Sequence, residues 1–259
     1  MKLGIGSFTY PWHIAYRSMD AFALLATAIK HQIEVVQICD NLPLIDLPSE
    51  ENHRLADASR AAGIQIEVGT RGLNVKNVIS HLGLCQLYQS PILRIVIDKG
   101  QYAPDVKEII AIIRSVLPDL SDGNVVLAIE NHDRFRARDL RHIIDAIGSP
   151  HVGICLDGAN SLGAGEDIYT VLDQLAPYVV NLHLKDFSIK RLATQLGFLV
   201  EGQASGDGML DLPSILRRLS PSINAIIELW IPEKENPEAT LALENSWAER
   251  SISNMKAML

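Results

Sequence analysis

Eight short apolar runs recur along the chain at roughly 30-residue intervals, the length of a strand-plus-helix unit. They are "LGIGSFTY" from Leu3, "VVQICD" from Val35, "QIEVGT" from Gln65, "ILRIVID" from Ile92, "VVLAIENH" from Val125, "VGICLD" from Val152, "VVNLHLKD" from Val179 and "NAIIELW" from Asn224. Most are near-continuous rather than alternating, as parallel strands covered on both faces are. Between them, "MDAFALLATAIKHQ", "ENHRLADASRAAG", "LNVKNVISHLGLCQLY", "PDVKEIIAIIRSVL", "ARDLRHIIDAIG" and "LDLPSILRRLS" carry apolar residues at three- and four-residue intervals, which predicts amphipathic helices. Several end at glycine or shortly before proline, as helix C-termini do. "PEATLALENSWAERSISNMKAML" predicts a last helix that closes the outer layer, with Trp247 and Met255 in the core.

Eight such units in 259 residues predict an α/β fold, a (β/α)8 TIM barrel. A doubly wound sheet would show a phosphate-binding glycine fingerprint after its first strand, and "GIGSFTYPW" lacks the third glycine. No linker or composition break divides the chain, so residues 1–259 read as one domain. One connection is out of scale. Residues 187–209, "FSIKRLATQLGFLVEGQASGDGM", are longer than most loops and contain Gly202, Gly206 and Gly208, which predicts an active-site loop.

Barrel chemistry gathers at the C-terminal ends of the strands, and there the polar residues stand out. The fifth strand ends in Glu130 and His132, the sixth in Asp157 and Asn160, the seventh in His183 and Lys185, the eighth in Glu228. A lone residue of this kind is commonly a solvated rim residue. Glu130, Asp157, His183 and Glu228 together, on four successive strands, predict a shared site. Three carboxylates in one cavity repel one another unless a cation compensates. Three oxygen ligands and one imidazole suit Mn²⁺ best, with Mg²⁺ or Co²⁺ as alternatives, rather than structural zinc.

These motifs, "IEN", "LDxxN", "HLKD" and "IIEL" with "ASGDGMLDL" after them, resemble the xylose isomerase-like sugar phosphate isomerase/epimerase superfamily over essentially the whole chain. The resemblance implies that Glu130, Asp157, His183 and Glu228 bind one divalent ion. It implies that Glu130 and Glu228 trade protons with the substrate, and that His132, Asn160 and Lys185 make neighbouring contacts. Where sugar epimerases often carry a histidine three residues after the sixth-strand aspartate, this chain has Asn160. The expected activity is isomerisation or epimerisation of a small sugar, sugar phosphate or sugar acid through an enediolate. The alternative is a lyase on the same scaffold, a decarboxylase or dehydratase of a 3-oxo sugar acid.

Arg71 and Lys185 both terminate apolar strands, and a fork-shaped guanidinium suits carboxylate or phosphate. Arg71 is therefore a further substrate contact, and the substrate an anionic polyol. Arg134 and Lys99 are weaker candidates, and Tyr10, Trp12 and Trp230 offer an aromatic wall. The net charge of −8 and pI near 5.5 argue against nucleic-acid binding. An abasic-site endonuclease on this barrel would need more histidines at its strand ends. Cys39, Cys85 and Cys155 lack metal or disulfide spacing and read as reduced thiols. No apolar run approaches the ~20 residues of a membrane span. A cytoplasmic protein with no membrane partner is expected. A homo-oligomer is compatible with the chain, although no stripe specifies one.

Overall fold

The computed structural model describes residues 1–259. Ten strands follow in chain order: β1 (Lys2–Gly6), β2 (Val35–Ile38), β3 (Gln65–Arg71), β4 (Ile92–Val96), β5 (Val126–Glu130), β6 (Val152–Asp157), β7 (Val179–Leu184), β8 (Asp186–Arg191), β9 (Phe198–Gln203) and β10 (Asn224–Ile227). Strands β1 to β7 and β10 pair in parallel and close into one eight-stranded barrel, in the order β1-β10-β7-β6-β5-β4-β3-β2. The helices are α1 (Pro11–Ala15), α2 (Ala21–Lys30), α3 (Ser49–Ala61), α4 (Val75–Tyr88), α5 (Val106–Asp122), α6 (Ala137–Ile147), α7 (Ile168–Leu175), α8 (Leu212–Arg217) and α9 (Pro237–Met258). Each barrel strand is followed by one helix of the outer ring, with short α1 as an addition after β1. The (β/α)8 barrel expected from the apolar runs is the observed fold.

Local signals set the helix ends. Asp20, Asn74, Asp167, Asp211 and Asn236 each accept a backbone N–H of the first turn of their helix, and Asp105 with Glu108 forms a capping box at α5. Gly148 ends α6 at a φ of 64°, a left-handed conformation that glycine adopts without a Cβ clash. Helix α7 has no counterpart among the predicted helices. Strand β1 stops at Gly6, short of the predicted Tyr10, because Thr9 bonds back to Gly6 N and across to Ile227 O, turning the chain into a tight 3₁₀ turn.

Apolar side chains along the staves do not fill the lumen. Val36, Ile38, Ile66, Val68, Leu93, Ile95, Leu127, Ile129, Ile154, Leu156, Leu182 and Leu184 belong to the main core cluster, which packs between sheet and helices. The intervening positions point inward, where Gln37, Glu67, Arg94, Asn181 and His183 are all buried. Only Ile92, Ala128 and Cys155 form a small separate apolar cluster. The barrel thus has an annular apolar core around a polar axis, whereas many such barrels fill their centre with branched aliphatics.

Residues 187–209 are largely a β-hairpin, since β8 and β9 pair antiparallel from Asp186↔Gln203 to Arg191↔Phe198. Asp186 anchors the glycine-rich return. Its carboxylate accepts the backbone N–H groups of Phe187, Gly206, Gly208 and Leu210. A Cβ at Gly208 would lie 2.1 Å from Asp186 Oδ1, so the close approach requires glycine.

Candidate active site

Strand register brings the four predicted metal ligands together. Asp157 pairs with His183 across β6 and β7, and His183 pairs with Ile226, two residues before Glu228. Glu130 ends β5 opposite Cys155, two residues before Asp157. Steps of two keep every side chain on the lumen face. His183 Nδ1 is the hub, 3.3 Å from Glu228 Oε2, 3.5 Å from Glu130 Oε2 and 3.9 Å from Asp157 Oδ2.

Three buried polar atoms in this cluster lack a hydrogen-bond partner: His183 Nδ1, Asp157 Oδ2 and Glu228 Oε1. Asp157 Oδ2 does lie 2.7 Å from Lys185 Nζ, an ion pair without hydrogen-bond alignment. Unpaired donor atoms converging from three strands fit a divalent cation, and Asp157, His183 and Glu228 form one compact ligand group. Cys155 falls in a second group with Glu130 and His183. Burial pushes its thiol far above the ordinary range, and its Sγ donates to Asn181 Oδ1.

The charges are strongly coupled. Burial would raise Glu228, but the neighbouring His183 and Lys185 outweigh it and hold this carboxyl well below the usual range. Burial would lower His183, but Glu228 and Glu130 outweigh it and raise the imidazole. Burial would likewise lower Lys185, and Asp157 and Glu228 reverse the sign. Lys185 also sits 3.2 Å from Glu228 Oε2 and 5.3 Å from the Trp230 ring centre.

Arg94 and Asp40 complete the cluster and were not anticipated. Arg94, 2% exposed, donates from Nε to Glu130 Oε2 at 2.5 Å and from Nη1 to Asp40 Oδ1 at 3.1 Å. Arg71 Nε reaches Asp40 Oδ2 at 3.1 Å, so a chain of ion pairs runs Arg71–Asp40–Arg94–Glu130. Asn160 Nδ2 donates to Glu130 Oε1 at 2.8 Å, which leaves both oxygens of Glu130 engaged. The available signal was an arginine in the middle of "ILRIVID", where a buried charge demands a partner.

A cleft of about 330 Å³ opens above the cluster. Arg71, His132, Asn160 and Lys185 all line it beside Glu130, Glu228 and Arg94, with Trp12 and Trp230 as an aromatic wall. Other candidates lie elsewhere. Arg134 forks onto Asp98 and stacks on Phe135, and Tyr10 is buried in the core together with Trp247 and Met255. None of residues 187–209 lines the cleft.

Sequence comparison gives the family. The pattern of the xylose isomerase-like TIM barrel family matches residues 3–251. The chain belongs to this family. Within it, the chain is 31% identical over 259 residues to the 3-oxo-isoapionate decarboxylase of Pectobacterium atrosepticum, covering 98% of this chain and 94% of that protein. The fold resembles D-psicose 3-epimerase from Clostridium cellulolyticum H10, solved with D-tagatose, at a TM-score of 0.73 and 12% identity, with 100% and 98% of the two chains covered. It also resembles the IolI protein, solved with a bound zinc atom, at a TM-score of 0.66, 20% identity and 98% of each chain. The relative at 31% identity is a decarboxylase, and solved structures of sugar epimerases share the fold.

Proposed function

We propose that this member of the xylose isomerase-like family is a divalent-metal-dependent lyase that decarboxylates a small 3-oxo sugar acid. Asp157, His183, Glu228 and Glu130 would hold the ion, and Mn²⁺ suits their mostly oxygen donor set. When bound, the ion supplies an electron sink for the charge released beside a carbonyl.

The observation that carries the reading is the state of Glu130. Proton exchange on two faces of a sugar carbon needs two bases with lone pairs to spare, and Glu130 already accepts from Arg94 at one oxygen and from Asn160 at the other, with the ion as a third partner. Decarboxylation needs no carbon base. The bond between the carboxylate carbon and C2 breaks, its electron pair moves into the C2–C3–oxygen system, and CO₂ departs. C2 then takes one proton. Lys185 is the buried ammonium at the cleft floor, placed to donate that proton and to recover one from solvent. Arg71, whose side chain is about a third exposed, lines the cleft where a substrate carboxylate would dock. The similarity to a 3-oxo acid decarboxylase over nearly the whole chain supports the same reaction class.

A second reading, sugar isomerisation or epimerisation, keeps Glu130 and Glu228 as the proton-transferring pair, and both do line the cleft. One experiment separates the two. The Mn²⁺-supplemented protein is incubated in D₂O with a panel of 3-oxo sugar acids and keto sugars. Loss of CO₂ with one deuterium at the former C2 supports the lyase. Deuterium exchange with the carbon skeleton intact and no CO₂ released overturns it in favour of the isomerase.

A further inference from the structure

Below the carboxylate cluster lies a second buried layer. Glu67, 1% exposed, accepts from Gln37 Nε2 at 3.0 Å, from Asn181 Nδ2 at 3.0 Å and from Asn224 Nδ2 at 2.6 Å. A carboxylate only accepts, so an amide facing it must present its NH₂ end. Gln37 Nε2 also donates to Asn181 Oδ1 at 3.0 Å, so its NH₂ lies between two acceptors. Its carbonyl oxygen is thereby turned the other way, 2.7 Å from His183 Nε2.

We propose that Gln37, oriented by Glu67, is a positioning residue that keeps the proton of neutral His183 on Nε2 and so leaves the Nδ1 lone pair free for a cation. The inference rests on reading the cluster as a divalent-metal site. With Oε1 of Gln37 facing it, Nε2 has to donate. Nδ1 then meets three carboxylate oxygens at 3.3–3.9 Å with nothing to donate to them, an arrangement that only a cation or a further proton relieves. A reversed amide at Gln37 would offer N–H to Nε2, move the proton to Nδ1 and block the ligand atom. The layer thus does for this histidine what a carboxylate or carbonyl bonded to the second ring nitrogen does in many metal sites.

The direct test is the tautomer, read from the ¹⁵N shifts of His183 in metal-free wild-type protein at a pH where the ring is neutral. A proton on Nε2 is expected, and a proton on Nδ1 overturns the proposal without any variant. The second arm titrates Mn²⁺ calorimetrically into wild type, Gln37→Leu and the double variant Gln37→Glu/Glu67→Gln. Gln37→Leu removes the acceptor and should weaken Mn²⁺ binding by about 10- to 100-fold. The double variant exchanges amide and carboxylate, so it keeps an acceptor facing His183 Nε2 and a donor between positions 37 and 67, and it should restore the Nε2–H tautomer with affinity within a few-fold of wild type. Equal weakening in both variants, or wild-type affinity and tautomer in Gln37→Leu, overturns it. Wild-type protein that binds no Mn²⁺ overturns the metal reading alone, and the tautomer then still decides the role of Gln37.

Discussion

Arg94 Nε meets Glu130 Oε2 at 2.5 Å inside the barrel, with each side chain 2% exposed. Neither charge reaches bulk water, so each is the main compensation of the other. Replacing Arg94 by Met takes the guanidinium from Glu130, while Asp40 keeps Arg71, and breaking such a buried pair costs about 3–5 kcal/mol. Urea unfolding of R94M should show that loss, and the double variant R94M/E130Q should recover part of it.

Metal dependence is the expectation that the three unpaired donor atoms raise. Chelation with EDTA should abolish turnover, and Mn²⁺ should restore it. Glu228→Gln keeps shape but removes a ligand charge. It should weaken Mn²⁺ binding beyond the about 10- to 100-fold typical of an outer contact, as measured by elemental analysis after dialysis.

Lys185→Met tests the proton donor. Turnover should fall by about 10²- to 10⁴-fold, while Mn²⁺ content after dialysis stays that of wild type. A matching loss of metal would place Lys185 in the binding set instead.

His183 gives the metal-free protein a pH-dependent stability. Its folded pKa is raised above the ordinary 6.5, against the lowering effect of burial, by Glu228 and Glu130. The extra stability is therefore fully present below about pH 6.5 and is lost as pH rises through the folded value. The slope is at most about 1.4 kcal/mol per pH unit for one proton. Denaturant midpoints of metal-free protein should fall across that window, and His183→Asn should flatten the fall.

Asp186 predicts a local effect. Asp186→Ala strips the acceptor from four backbone N–H groups. A loss of about 1–3 kcal/mol is expected. Hydrogen exchange should quicken at Gly206, Gly208 and Leu210 and stay unchanged in β5 and β6.

The strand order and the cleft residues were legible because a polar side chain ending an apolar run is conspicuous. Glu130, Asp157, His183 and Glu228 all end such runs and do converge. Arg94, Gln37, Glu67 and Asn181 were passed over because each sits inside a run with an apolar residue on either side, and those runs read as continuous. Alternation was present, but it separated lumen from helix layer rather than core from solvent. Helix α7 was missed although its buried residues, Ile168, Val171, Leu172 and Leu175, do recur at helical spacing. The hairpin escaped because Ile189, Phe198, Leu199 and Val200 are exposed, so no buried face marks its strands.

Leu127 and Ala128 are chain neighbours, yet one packs beneath the helices and the other faces the axis. Durability and reactivity therefore reside on opposite faces of the same staves. A descendant of this chain could trade one axial side chain for another, and with it one reaction for another, without thinning the waterproof sleeve that keeps the staves closed.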